Sequence, residues 1–124
     1  FTPTITNPST KGLAAISSET KSLIQKANEG KLAPQEYEGG TFTISNLGMF
    51  GVDSFNSIIN APQSGILSVG AYSQKSIVEN DLIKIANILG LTLAIDHRCI
   101  DGAPAAKFLT DIKSILENPI ELML

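Results

Sequence analysis

The chain has 124 residues, a formal net charge of −3 and a mildly apolar composition, enough for one domain with a real core. Its nine cations, eight lysines plus Arg98, are scattered, so no basic stripe exists for a nucleic-acid backbone or for a polybasic membrane anchor. One cysteine excludes an internal disulfide, and one cysteine with one histidine cannot build a typical structural zinc site, so no metal is expected.

In chain order, Phe1 to Asn7 alternate apolar and polar residues and read as a short strand or its tail. Leu13, Ile16, Leu23, Ile24 and Ala27 recur at helical spacing, which predicts an amphipathic helix over 11–29 with Gly30 in the left-handed position after it. Residues 32–40 connect, with one helical turn at Pro34 to Tyr37. Thr41 to Ser45 is β-branched and aromatic and predicts a strand. Asn46 to Gly51 reads as a loop that passes close to something.

Ser64 to Ala71 predicts a buried strand, and Ser76–Val78 with Leu82–Ile85 predict a hairpin around Glu79-Asn80-Asp81. Ile88 to Ile95 is apolar on both faces, as a central strand would be. Asp101-Gly102-Ala103-Pro104 opens a last helix, whose stripe is Ala105, Phe108, Leu109, Ile112, Ile115 and Leu116. Asn118-Pro119 ends it. The fold class expected is α+β, a two-layer sandwich of a mostly antiparallel sheet with helices on one face. No apolar run is long enough to span a bilayer, and no signal-peptide pattern is present. The chain starts at Phe1 rather than methionine, so it is expected to be part of a longer protein.

The only histidine, the only arginine and the only cysteine are consecutive, in Asp96-His97-Arg98-Cys99-Ile100-Asp101-Gly102-Ala103. Imidazole is the side chain whose ordinary pKa lies nearest neutrality, so histidine-dependent proton transfer would have to use His97. A hydrogen-bonded core histidine is an equally weighted reading. Asp101 before a helix start reads first as an N-cap, and only second as a support for His97. Cys99 reads first as a small packed thiol and only second as a nucleophile paired with His97, and Arg98 reads as half of a surface or interface ion pair. Ser45 could donate a hydrogen bond to an oxyanion, against the plainer reading of a turn residue. No Gly-x-Ser-x-Gly elbow or phosphate loop is present.

Taken together, several blocks resemble the dihydrolipoyl acyltransferases, the catalytic cores of the 2-oxo acid dehydrogenase complexes. Asp96 to Ala103 resembles the D-H-R-x-x-D-G-A signature of that family, with Cys99-Ile100 in place of the commoner Val-Val. Gly39-Gly40-Thr41-Phe42-Thr43-Ile44-Ser45-Asn46-Leu47-Gly48 resembles its second block, and Ile59-Asn60-Ala61-Pro62-Gln63 and Glu117-Asn118-Pro119 also fit. The resemblance runs through the chain but covers only the C-terminal half of the family's catalytic domain. It implies a chloramphenicol-acetyltransferase-like fold, trimers, and an active site in a tunnel between two subunits.

By the same resemblance, His97 is the general base that deprotonates an attacking thiol, and Ser45 of a neighbouring subunit holds the oxyanion. Asp101 supports the site by pairing with an arginine, either one outside this chain or Arg98. Asn46, Leu47, Gly48 and Met49 are expected along the tunnel, and the sequence Ser45 to Gly51 looks most like the acetyl-transferring, pyruvate-type members. The succinyl- and branched-chain-transferring members are the alternatives. The implied reaction needs no tightly bound cofactor: coenzyme A is a substrate, and the acyl carrier is a lipoyl-lysine on another domain. Leu122, Met123 and Leu124 are expected to dock trimers into a core of 24 or 60 subunits. The other partners implied are the lipoyl domain and the dehydrogenase components, in bacterial cytoplasm or mitochondrial matrix. Two competing readings are an inactive core component and a Ser/His hydrolase with Ser45 as nucleophile.

Overall fold

The computed structural model describes residues 1–123, with side chains described through Leu122. The chain forms two compact units, Phe1–Thr41 and the remainder from Phe42 onward.

The first unit is built around helix α1, Leu13–Asn28, within the span its periodicity predicts. Leu23 is its one buried residue, and Ile16 and Ala27 are half-buried on either side of it. Gly30 takes φ 69°, the left-handed geometry that lets the Lys31 N–H return to the Lys26 carbonyl at 2.8 Å. Lys26 reaches beyond the helix end to Glu36 at 2.6 Å. That ammonium, with the Ala33 N–H donating to the same carboxylate, holds Glu36 below the usual carboxylate range. Residues 34–36 form the expected short turn.

The strand expected at Phe1 to Asn7 is absent: these residues pair with no sheet strand, and Asn7 turns into the left-handed region at φ 49°. Pro3 has no N–H to donate to a ladder. The segment is held instead by the Thr4 N–H on the Glu36 carbonyl at 2.7 Å and by Phe1 stacked on Tyr37 at 4.3 Å.

The second unit is a three-stranded mixed sheet in the order β1-β2-β3. Strand β1 is Thr43–Asn46, β2 is Gly65–Glu79 and β3 is Leu82–Ile95. Strand β1 runs parallel to β2, and β2 antiparallel to β3. The two apolar runs expected on either side of residue 73 are one continuous strand, β2. Likewise, the runs at 82–85 and 88–95 are both parts of β3. Asn80 and Asp81 both have positive φ, 53° and 62°, as a two-residue type I′ hairpin loop requires. The tight loop lets pairing continue from Glu79–Leu82 to Gly65–Ile95, with one irregularity between Val69 and Tyr72.

The central strand is therefore β2, not the 88–95 run. Gly65 to Ser68 and Gly70 are buried, whereas β3 is only half-buried along the corresponding stretch. Apolarity on both faces predicted a central position for β3; among the described residues it has a neighbour on one side alone.

The two faces of the sheet are covered differently. Helix α2, Gly102–Glu117, lies on the face of Gly65, Leu93 and Ile95. There Phe42 meets Phe108 edge to face at 6.0 Å over an apolar cavity of about 200 Å³. The opposite face carries Ser45, Ser68 and Thr92 in one cross-strand row. Segment 52–60 crosses that face. The Ala71 N–H donates to the Val52 carbonyl at 2.7 Å, and the Ser57 and Ser68 hydroxyls are hydrogen-bonded. The crossing needs glycine beneath it: a Cβ on Gly70 would lie 2.0 Å from the Asp53 carbonyl oxygen, and one on Gly90 would lie 2.5 Å from it. After α2, Pro119–Met123 forms a short 3₁₀ turn.

Candidate functional site

Strand β1 delivers Ser45 and Asn46 at its C-terminal end, as the sequence predicts. Ser45 is half-buried beside Ser68. Asn46 turns its side chain onward, its Oδ1 accepting the Gly48 N–H at 2.8 Å. The chain then tightens into a 3₁₀ turn at Gly48–Phe50. A Cβ on Gly48 would sit 2.9 Å from the Gly70 carbonyl, so this glycine is required by a close approach to β2. Leu47 is half-buried, while Met49 and Phe50 are 75% and 74% exposed. Of the expected tunnel residues, Met49 thus projects outward and Asn46 is spent on the turn.

Strand β3 delivers the second group. Pairing continues one residue past its end, with the Asp96 N–H donating to the Ser64 carbonyl at 2.8 Å. His97, Arg98 and Cys99 then form an exposed turn. The reading of His97 as a buried core residue does not hold, and neither does that of Cys99 as a packed thiol. Both lie on a turn outside the sheet and are exposed among the described residues. Asp96 accepts the Arg98 backbone N–H and Nε at 3.0 Å each, and Nη2 at 2.8 Å. This clasp lowers Asp96 to a pKa of about 2, through the side-chain hydrogen bonds from Arg98 first and its backbone N–H second. The same pairing raises Arg98.

Arg98 is therefore committed to Asp96, and is not the arginine expected to pair with Asp101. Asp101 occupies the N-cap position of α2 with extended geometry, but its side chain makes no cap hydrogen bond. Its exposed carboxylate stays at the surface, and the Asp101 backbone carbonyl starts the helix by accepting the Ala105 N–H at 3.3 Å. Sequence reading missed Asp96 as a structural hub. The signal was an acid flanking a histidine with an arginine two residues on, where short side-chain-to-backbone rings form.

The register decides how Ser45 and His97 relate within one chain. Ser45 is level with Ser68, and Ser68 with Thr92. Ile95 lies three residues further along and two strands across, so it is about 14 Å from Ser45 at ordinary strand rise and spacing. His97 lies beyond Ile95 in the direction leading away from Ser45. One chain cannot bring this serine and histidine within hydrogen-bond reach, which removes the intrachain Ser/His hydrolase reading.

Over residues 1–124 the sequence matches the 2-oxoacid dehydrogenases acyltransferase family (catalytic domain). The chain belongs to that family. It is 52% identical over 123 residues to the dihydrolipoyllysine-residue acetyltransferase component of the pyruvate dehydrogenase complex of Rickettsia bellii, covering 99% of this chain and 29% of that protein. It is also 52% identical over 127 residues to the mitochondrial counterpart of Schizosaccharomyces pombe, covering 100% of this chain and 26% of the relative. This chain thus spans under a third of these relatives.

Among solved structures, an Azotobacter vinelandii dihydrolipoamide acetyltransferase superposes with a TM-score of 0.93 at 35% identity, covering 98% of this chain and 50% of that one. The cubic core of a pyruvate dehydrogenase multienzyme complex gives 0.93 at 34% identity, again covering 98% of this chain and 50% of the other. The fold is that of the acyltransferase catalytic cores, the chloramphenicol-acetyltransferase-like class that the resemblance implies. The matches include bacterial and mitochondrial proteins, and no described helix is long and apolar enough to cross a membrane.

Proposed function

We propose that this chain is the C-terminal half of an acyltransferase catalytic domain that moves an acetyl group from dihydrolipoamide to coenzyme A. The observation that carries this reading is a spacing. The Azotobacter study concerns a serine, a histidine and an asparagine in that enzyme's catalytic mechanism, the first two 52 residues apart and the third four further on. Ser45 and His97 have the same separation, and Asp101 stands four residues after His97. Acidic Asp101 in place of the amide is a departure that keeps an acceptor at this position.

In the proposed reaction the His97 imidazole takes the proton from the coenzyme A thiol. The thiolate attacks the thioester carbonyl, and the Ser45 hydroxyl donates to the tetrahedral oxyanion. Collapse expels the dihydrolipoamide thiolate, which recovers the proton from His97. The protein's contribution is positioning two thiol substrates, one base and one oxyanion donor. Neither a metal nor a tightly bound cofactor takes part, and the acyl carrier is a lipoyl-lysine on a separate domain. The strand register supports a site shared between subunits of a trimer, His97 from one and Ser45 from the next. The exposed Leu122, at 47%, supports a role for the tail in joining trimers into a larger core that receives lipoyl domains and the dehydrogenase components. Met123 contributes only its backbone to the described turn, and Leu124 lies outside the described residues.

The test mixes two inactive variants of the full-length protein. His97→Ala should lower acetyl transfer by about 10²- to 10⁴-fold, and Ser45→Ala by about 10²- to 10³-fold. Mixed trimers formed by unfolding and refolding the two variants together should recover about a quarter of wild-type sites, because each mixed three-fold ring contains one complete pair. Full activity of His97→Ala, or no recovery in demonstrated mixed trimers, would overturn the reading.

A further inference from the structure

We propose that Asp96 is a positioning residue for His97, acting through the clasp that it closes with Arg98. The inference rests on the reading of His97 as the general base, and goes beyond it by assigning what aims that base. Asp96 is tied at three of its groups. Its N–H is fixed just ahead of β2, on the Ser64 carbonyl at 2.8 Å. Its carbonyl accepts the Cys99 and Ile100 N–H groups at 2.9 and 3.0 Å. Its carboxylate spans His97 and holds Arg98 by both backbone and guanidinium.

His97 is the one residue enclosed by this ring, and it is exposed on its own subunit. Ordinarily a catalytic imidazole is held by packing around it. Here the described neighbours supply none, so the direction of its Cα–Cβ bond is set by the backbone turn. Asp96 is the only described side chain that hydrogen-bonds that turn. The guanidinium is 89% exposed on the clasp's outer side, where a single ion pair adds little to global stability. Its consequence is local: it closes the ring and restricts the turn. A general base must come within about 3 Å of the proton it takes, and a misplacement of about 1 Å can cost on the order of 10²-fold in rate.

The experiment measures acetyl transfer by the full-length protein, with coenzyme A and free acetyl-dihydrolipoamide as substrates. Asp96→Ala removes every side-chain acceptor of the clasp, and should lower kcat by about 10- to 100-fold while each KM stays within about twofold. Asp96→Asn retains an Oδ1 acceptor for the Arg98 N–H and Nε, and should hold kcat within about threefold of wild type. Arg98→Ala leaves the backbone N–H on the carboxylate and should lie between them, at about fivefold. Sedimentation velocity checks that each variant assembles as the wild type does. If Asp96→Ala fails to assemble, Arg98→Ala decides, and wild-type kcat there overturns the clasp. The proposal is also overturned if Asp96→Ala keeps kcat within threefold, if Asp96→Ala and Asp96→Asn are equally impaired, or if the loss appears only in KM. His97→Ala separates the two claims: its retaining full turnover defeats the functional reading, whereas its inactivity beside a normal Asp96→Ala defeats only the clasp.

Discussion

Replacing Gly70 by alanine is expected to destabilise the protein by about 3 kcal/mol, although the change adds a single methyl group. The added Cβ would lie 2.0 Å from the Asp53 carbonyl oxygen, 2.6 Å from its carbon and 2.9 Å from the Val52 carbonyl oxygen. All three are backbone atoms, so no side-chain rotation relieves the contact. Segment 52–60 would have to lift by more than 1 Å, and in doing so lose the 2.7 Å bond from the Ala71 N–H to the Val52 carbonyl. Overpacking of this kind costs about 1–3 kcal/mol and the hydrogen bond about 1 kcal/mol more. Two other glycines calibrate the effect. At Gly90 the contact is a single close one, 2.5 Å, so Gly90→Ala should cost less. At Gly102, the first residue of α2, nothing lies within 4 Å and φ is not positive, so Gly102→Ala should be neutral or slightly stabilising through helix propensity. The assay is the guanidinium unfolding midpoint of the full-length protein, measured at one fixed protein concentration for every variant. A Gly70→Ala midpoint equal to that of Gly102→Ala would refute the argument that the crossing segment rests on bare backbone.

Three further outcomes are expected. Ser57→Ala should cost about 1–3 kcal/mol, because it strips the partner from the Ser68 hydroxyl, which is 2% exposed; the Ser57→Ala, Ser68→Ala pair should lose less than the sum of the singles in a double-mutant cycle. Asp96, with its pKa lowered from 3.8 to about 2, binds protons less readily folded than unfolded, so the clasp's stabilisation is fully present above pH 3.8 and is lost as pH falls toward 2. Because the guanidinium side of the clasp is exposed, this loss is local, and acid unfolding followed by circular dichroism should differ little between wild type and Asp96→Asn; a large difference would refute the local reading. Finally, Leu122→Lys should reduce particle size in sedimentation velocity while leaving trimers active; unchanged large particles would remove Leu122 from the inter-trimer contact.

Local patterns were legible wherever one residue type or one period governs the outcome. Helices α1 and α2, the left-handed Gly30, the hairpin loop and the Ser45-Asn46 strand end all follow from periodicity, turn chemistry and β-branching. The strand expected at Phe1 to Asn7 failed because alternation says nothing about whether a partner strand exists. The 88–95 run was expected at the sheet centre for a related reason: apolarity on both faces signals surface that favours cover, not a place in the order of strands. The single long hairpin was missed because a polar interruption at Ser73-Gln74-Lys75 looks like a break, yet a half-exposed strand carries polar residues freely.

By itself the sequence determined the chemistry on offer: one histidine, one candidate hydroxyl, no metal ligand set, and the spacing between the two groups. Tertiary structure decided what that spacing means. The parallel β1–β2 and antiparallel β2–β3 registers place the exit to His97 two strands across from Ser45 and beyond its level, on the side leading away from it. Structure also turned Arg98 toward Asp96 and left Asp101 at the helix start without it. Register, close approach and partner choice depend on atoms brought together from distant parts of the chain, and no local pattern of residues specifies them.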